Sequence, residues 1–112
     1  MDQAPTISIN VKEVLIHTVN FTVSVSLPSM VWCKPVKRGG FQPSIKELKK
    51  TPGYHITEEQ LLHFENLRSS TYYSVTCYAE SLKGTPMSQS LEEVSKDIKT
   101  NLNTASCTFI IS

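Results

Sequence analysis

The sequence predicts an all-β sandwich of about seven strands in two antiparallel sheets, with one or two short helices. Apolar and polar residues alternate with a period of two in several short runs, and loops rich in Gly, Pro and Ser separate these runs. The chain has 112 residues, a length that favours one domain with a single core. One run, residues 67–79, also combines a corner signal, strict alternation and a cysteine. We therefore interpret residues 1–112 as one sandwich domain.

Residues 67–79 are predicted to contain the central strand. Its inward positions are Tyr73, Val75, Cys77 and Ala79, and its outward positions are Ser74, Thr76 and Tyr78. Leu67 stands six residues before Tyr73. This spacing is typical of a tyrosine corner, in which the chain crosses from one sheet to the other and a tyrosine hydroxyl holds the turn.

The first three strands are predicted in residues 5–11, 14–27 and 30–33. Pro5 stands at the outer end of the first, where its missing N–H does no harm on an edge strand. The second has the cleanest alternation in the chain. Pro35 is expected to end the third, since proline commonly interrupts regular structure.

The pattern is mixed between the third and the central strand. Residues 37–43 contain two glycines and a proline, which predicts a loop. Ser44 is a candidate cap for a brief helical turn that stops at residues 51–53. A fourth strand is expected over residues 54–64, strongest at 60–64, opposite the second strand.

After the central strand, residues 81–86 form a predicted loop with a glycine and a proline. Apolar residues then recur at helical spacing, which predicts a short helix: Met87, Leu91, Val94 and Ile98. Residues 107–111 are rich in β-forming residues and are expected to close the second sheet as its last strand. The alternative for residues 101–112 is a linker.

Composition and motifs argue against several classes of function. The formal net charge is +1, which provides no global field for nucleic acid. No apolar run reaches about 18 residues, so we expect no insertion into a membrane. The histidines are dispersed, and neither a phosphate-binding glycine loop nor a nucleophile elbow is present. We therefore expect no enzyme activity, no metal and no cofactor.

Positive charge is concentrated in one segment, where the basic residues are Lys34, Lys37, Arg38, Lys46, Lys49 and Lys50. One interpretation is an ordinary solvated face. The other is a patch that binds a polyanion or a glycan, with Trp32 or Phe41 as a stacking surface. Binding of this kind weakens steeply with salt.

The central strand and its neighbours resemble a fibronectin type III domain, of the divergent, cysteine-containing type found as tandem repeats in secreted or surface proteins of unicellular eukaryotes. The resemblance covers about residues 5–100 and is carried by Leu67, Thr71, Tyr73, Val75, Cys77, Ala79 and the segment Val31-Trp32-Cys33. The chain departs from the family at Ser69, where a corner proline is common, and at Leu27, where a tryptophan is usual.

This resemblance implies an immunoglobulin-like sandwich and a non-enzymatic module for interaction, adhesion or spacing. Such a module belongs to a larger extracellular or cell-surface protein, with neighbouring domains and an unidentified protein or glycan ligand. The ligand would bind loops at the ends of the sandwich, such as residues 37–43 or 81–86, or an exposed sheet face.

The three cysteines match no metal-ligand spacing. Cys33 and Cys77 point inward on strands expected to be neighbours in one sheet, so a disulfide is reasonable if their α-carbons lie within about 7 Å. The alternatives are two buried thiols, or a bridge from Cys77 to Cys107.

One further modification site is suggested by a glycosylation sequon, Asn20-Phe21-Thr22. Asn20 falls on an outward position of the second predicted strand, where a glycan is sterically possible. The sequence therefore predicts Asn20 as a candidate glycosylation site in a secreted protein.

Overall fold

The structure, a computed structural model, describes residues 3–102. In chain order its elements are β1 (Ile7–Val14), β2 (Val19–Val25), β3 (Ser29–Lys37), α1 (Ile45–Leu48), β4 (Tyr54–Ile56), β5 (Glu59–Phe64), β6 (Tyr72–Ser81), α2 (Leu91–Val94) and β7 (Lys96–Lys99). The strands form two antiparallel sheets, one in the order β1-β2-β5 and the other in the order β4-β3-β6-β7. The predicted all-β sandwich with short helices is thus confirmed.

Both sheets turn one face toward a shared hydrophobic core. Phe21 and Val23 are fully buried on the three-stranded sheet, and Val31 and Val75 on the four-stranded sheet. Successive side chains of a strand point to opposite faces, so the period-two alternation of the sequence places these residues together. Removal of their apolar surface from water is the main term that holds the two sheets together.

β3 continues through Pro35, contrary to the sequence prediction, and Pro35 pairs with Val75. The N–H of Arg38 donates to Tyr72 O at 3.0 Å, so the even-numbered residues of β3 direct their N–H groups at β6. The nitrogen of Pro35 therefore faces the opposite edge. Because β4 pairs only with residues 29–31, that edge is open at Pro35 and the proline removes no ladder hydrogen bond.

The predicted fourth strand is two strands that belong to different sheets. β4 pairs with β3, whereas β5 pairs with β2. The chain crosses between the sheets at residues 57–58, where Glu58 O accepts a hydrogen bond from Val25 N–H at 2.8 Å. The predicted strand at residues 60–64, opposite the second strand, is confirmed as part of β5. Its extension back to residue 54 was wrong, because a change of sheet leaves no break in a short apolar pattern.

The predicted helix over residues 87–98 is limited to α2. Ser90 caps it, and its side chain accepts from Glu93 N–H while its own N–H donates to the Glu93 carboxylate. Ile98 lies on β7, where it pairs with Tyr73. The spacing of Val94 and Ile98 is compatible with a longer helix and also with a helix followed by a strand. Periodicity alone therefore did not distinguish these two structures.

The short helical turn expected after Ser44 is present as α1. Ser44 Oγ accepts from Glu47 N–H at 3.2 Å, and Leu48 is fully buried. Residues 107–111, the predicted last strand, lie outside the described residues. Within residues 3–102, no helix has the length and apolar character needed to cross a membrane.

The middle of β6, residues 75–79, is buried on both faces, which alternation alone did not indicate. The outward residues Thr76 and Tyr78 are only 2% and 3% exposed. The reason is that both α1 and α2 pack against β6. The outer face of the four-stranded sheet is therefore covered in places and open in others.

Candidate functional site

On the open part of the outer face of the four-stranded sheet, strand register arranges side chains in rows that cross β3, β6 and β7. The pairing of these strands gives two neighbouring rows, Val36–Ser74–Asp97 and Arg38–Tyr72–Lys99. Residues from the three strands thus become neighbours although they are far apart in the sequence. Which functional groups meet at this surface therefore depends on the strand register and not on any local sequence motif.

A groove of about 340 Å³ opens over these rows, and we call it the outer-face groove. One wall is formed by residues 37–40, at the end of β3 and in the loop that follows. The floor includes Ser74 and Thr76 of β6, and the other wall includes Glu92 of α2 and Asp97 of β7. The volume lies at the lower end of the range for small-ligand sites.

The two walls of the outer-face groove carry opposite charges. Lys37 and Arg38 line one side, and Glu92 and Asp97 line the other. The ion pairs Lys49–Glu80 and His63–Glu65 lie outside the groove. No ion pair is found among the described residues of the groove lining, so charges of both signs are available to a ligand there.

The floor of the outer-face groove is polar and held by hydrogen bonds. Ser74 Oγ donates to Asp97 Oδ1 at 2.7 Å, and Thr76 Oγ1 lies 3.1 Å from Ser95 Oγ. These bonds fix the directions of the side chains. An ionised carboxylate has about four lone-pair positions, so Asp97 keeps acceptor capacity after the bond from Ser74.

The ring of Tyr72 contacts two cations, one just after the end of β3 and one on β7. Arg38 Cζ lies 4.9 Å and Lys99 Nζ 5.1 Å from the centroid of its ring, which is the distance range of cation–π contacts. A second cavity of about 210 Å³, lined in part by Arg38, Tyr72 and Asp97, adjoins the groove. Sequence reasoning missed Lys99, because its place beside Tyr72 depends on the pairing of β6 with β7.

The predicted basic segment is distributed over several elements. Lys34 and Lys37 lie on β3, Arg38 follows it, Lys46 lies on α1, and Lys49 and Lys50 follow that helix. Lys49 Nζ is 2.6 Å from Glu80 Oε2 and 5.4 Å from the centroid of the Trp32 ring. Lys49 is thus engaged within the molecule, and of the six cations only Lys37 and Arg38 line the outer-face groove.

The two candidate stacking residues differ in environment. Trp32 is half-buried and stacks on Tyr78 with ring centroids 6.0 Å apart. The backbone at Gly53 passes so close that a Cβ there would lie 2.7 Å from Trp32 Nε1. Trp32 therefore packs between Tyr78, Lys49 and Gly53. Phe41, in contrast, is fully exposed in the loop beside the groove.

Glu80 connects Lys49 to the sheet. Tyr78 Oη donates to Glu80 Oε2 at 2.8 Å, and this is the same oxygen that contacts Lys49. Burial, together with the neighbouring Glu80 carboxylate, raises the pKa of the Tyr78 phenol. Partial burial acts to raise the pKa of Glu80, but hydrogen bonds from Lys49 and Tyr78 outweigh it, so the pKa is lowered.

Cys33 and Cys77 form a disulfide on the inner face of the four-stranded sheet. They stand directly opposite each other in the β3–β6 register, with α-carbons 4.0 Å apart. Cys77 is fully buried and Cys33 nearly so. The bond joins the two strands that also carry the outer-face groove. Cys107 lies outside the described residues.

The predicted corner residues lie where the chain passes from β5 to β6. Tyr73 Oη accepts a hydrogen bond from Arg68 N–H at 2.9 Å, and Leu67 is buried. The N–H of Leu67 donates to His17 O at 2.9 Å, which connects the crossing to the end of the three-stranded sheet. Tyr73 thus holds the start of β6, and with it the neighbouring Tyr72.

Asn20, the sequon residue, lies on β2 and is partly exposed. Its Nδ2 donates to Glu13 Oε1 at 3.2 Å, whereas Phe21 and Thr22 are buried. Asn20 and the outer-face groove belong to different sheets. Its glycosylation stays a prediction.

The fold and the groove together define a disulfide-containing β-sandwich with a charged, polar groove on one sheet. Comparisons with known protein families, with curated proteins and with solved structures find no match to this chain. Among residues 3–102, no group of three or more histidine, cysteine, aspartate or glutamate side chains could hold a metal ion.

Proposed function

We propose that the chain is a fibronectin type III-like module of a larger secreted or cell-surface protein, and that it acts by binding. The observation that carries this proposal is the Cys33–Cys77 disulfide, which joins the two central strands of the sandwich. Structural disulfides form and persist in oxidising compartments and are rare in the cytosol. The module works beside neighbouring domains, which it also spaces apart.

The outer-face groove is the binding surface of this proposal. It lies on paired strands, and strands position side chains more precisely than loops do. One wall is the loop after β3, which falls within the region that the sequence favours for binding. The other candidate loop, residues 81–86, contributes no residue to the groove lining.

The chemistry of the lining supports binding over catalysis. Within the described residues, the groove lining includes no histidine or cysteine. The floor hydroxyls of Ser74 and Thr76 bond to Asp97 and Ser95, and no histidine among the described lining residues stands beside them as the base that commonly activates a serine. The proposal therefore assigns these groups to recognition.

Labelling of the native protein in its source cells tests the proposal. An antibody raised against the folded chain should label intact cells, or detect the protein in the medium, without permeabilisation. Alkylation before lysis should leave Cys33 and Cys77 unmodified and joined to each other in a peptide map. Labelling only after permeabilisation, with both cysteines alkylated, would overturn the proposal.

A further inference from the structure

We propose that the outer-face groove binds a short saccharide that carries a carboxylate, with the carboxylate held by Arg38. This inference deepens the proposed binding function and rests on it. It follows from three properties of the groove: walls of opposite charge, a polar floor, and a small volume.

Arg38 provides the site for the carboxylate. Its guanidinium carbon lies over the Tyr72 ring, 4.9 Å from the centroid, and Arg38 lines both the groove and the adjoining cavity. A guanidinium has five N–H donors in one plane, so Arg38 can make paired hydrogen bonds to a carboxylate in the groove. Lys37 and Lys99 add positive charge on either side.

Glu92 and Asp97 provide acceptors for sugar hydroxyl groups. A hydroxyl donates one hydrogen bond and accepts others, so a sugar ring matches a lining in which donors face acceptors. Ser74 holds Asp97 in place through the 2.7 Å hydrogen bond, which prepares this carboxylate for a ligand. Gln42, also in the lining, offers both a donor and an acceptor.

The same acidic wall disfavours a densely sulfated polyanion, because Glu92 and Asp97 repel a second and a third negative charge. The volume of about 340 Å³ suits a short ligand and not a long chain. The pattern therefore differs from a continuous basic patch and selects a ligand with one anionic group and several hydroxyls.

A peptide fits the groove less well. Peptides commonly add a strand to an exposed sheet edge, whereas this groove lies over the face of the sheet, with β6 on its floor between β3 and β7. Among the described lining residues, only Val36 contributes an aliphatic side chain, so the lining offers little apolar surface to a peptide side chain. Hydroxyl-rich ligands use the polar groups that are present.

NMR titration of the oxidised, full-length chain tests this inference. The probes are methyl β-glucuronide, methyl β-glucoside and a heparin-derived oligosaccharide. We expect the glucuronide to shift the backbone amide signals of Gly39, Ser74 and Asp97. The neutral glucoside should bind about tenfold more weakly, because it lacks the charge-assisted bonds to Arg38.

Two variants separate the two walls. Arg38→Gln should weaken glucuronide binding about tenfold, and Asp97→Asn should weaken it roughly three- to tenfold. Lys50→Gln and Glu59→Gln are matched controls that make the same charge changes outside the groove, and both should leave the affinity unchanged. Dispersed spectra of every variant verify that the fold is intact.

The sign of the Asp97→Asn effect separates this ligand class from a polyanion. If the heparin fragment binds at the groove and Asp97→Asn strengthens its binding, the groove is a polyanion site and the inference is wrong. An absence of shifts with the glucuronide up to its solubility limit would also overturn it. Surface labelling of the native protein is measured independently of these titrations, so a failure of the proposed function is distinguishable from a failure of this inference.

Discussion

The side-chain amide of Gln89 forms two hydrogen bonds with the backbone of Ile7. Gln89 Oε1 accepts from Ile7 N–H at 2.7 Å, and Gln89 Nε2 donates to Ile7 O at 3.0 Å. β1 is an edge strand, and the outward N–H and C=O groups of an edge are available to another chain. Gln89 therefore takes the place of a neighbouring strand at this residue.

Gln89→Ala should expose the Ile7 amide and leave the adjacent ladder in place. We expect hydrogen exchange at Ile7 N–H to accelerate roughly three- to tenfold, as the loss of one net hydrogen bond implies. The amide of Ser8, which faces β2 in the β1–β2 ladder, is the internal control and should change little. Equal acceleration at both amides would show that Gln89 supports the whole strand and not its edge.

A thiol count tests the disulfide. The chain has three cysteines, so denatured protein from an oxidising host should contain one free thiol, at Cys107. The double variant Cys33→Ala/Cys77→Ala should lose roughly 4 kcal/mol of unfolding free energy, because a bridge between residues separated by 44 positions restricts the unfolded chain. Urea denaturation measures the loss, and Cys107→Ser is the control. Three free thiols would contradict the disulfide.

Tyr73→Phe removes the acceptor of the Arg68 N–H bond and keeps the ring. The partly buried N–H is then left without this partner, so we expect a loss of about 1 to 3 kcal/mol in unfolding free energy. Tyr72→Phe is a matched control on the next residue, where the ring is 45% exposed. Equal effects in urea denaturation would mean that the Tyr73 hydroxyl has no special part in the crossing.

Tyr78 is expected to destabilise the fold at alkaline pH. The pKa of its phenol is raised in the folded state above the ordinary value of 10.0. The stability that the protonated phenol contributes is therefore complete below pH 10.0 and declines as the pH rises further. Between about pH 9 and about pH 11, Tyr78→Phe should therefore lose less stability than the wild type. Parallel declines of both proteins in denaturant titrations would refute this role.

Glu80 has the opposite dependence. Its pKa is lowered from the ordinary value of 4.5, so the stability that it contributes is present above that pH and is lost as the pH falls through the lowered value. The advantage of the wild type over Glu80→Gln should be constant at neutral pH and shrink in acid. Glu59→Gln, an exposed control, should show no such convergence in melts across the acid range.

Alternation in the sequence was sufficient to predict the sandwich and the faces of its strands. Val31 and Cys33 of β3, and Val75 and Cys77 of β6, all point into the core as the period of two requires. Local chemistry also predicted the cap at Ser44, because a helix start is satisfied by a side chain only three residues away.

The division of residues 54–64 between two sheets was not predictable from the pattern. Both halves have strand-forming residues, and the choice of partner depends on β2 and β3 elsewhere in the chain. Ile98 was placed in a helix for a similar reason, since its burial satisfies either period. In both cases the local sequence pattern is equally compatible with the observed structure and with the one that was predicted.

The sequence by itself determined which side chains face the core, because that property depends only on neighbours along the strand. Tertiary structure alone decided the outer-face groove, the row that joins Arg38 to Lys99 through Tyr72, and the contact of Gln89 with Ile7. The physical reason is strand register. Pairing between strands brings together residues tens of positions apart, and no local pattern specifies which pairs will meet.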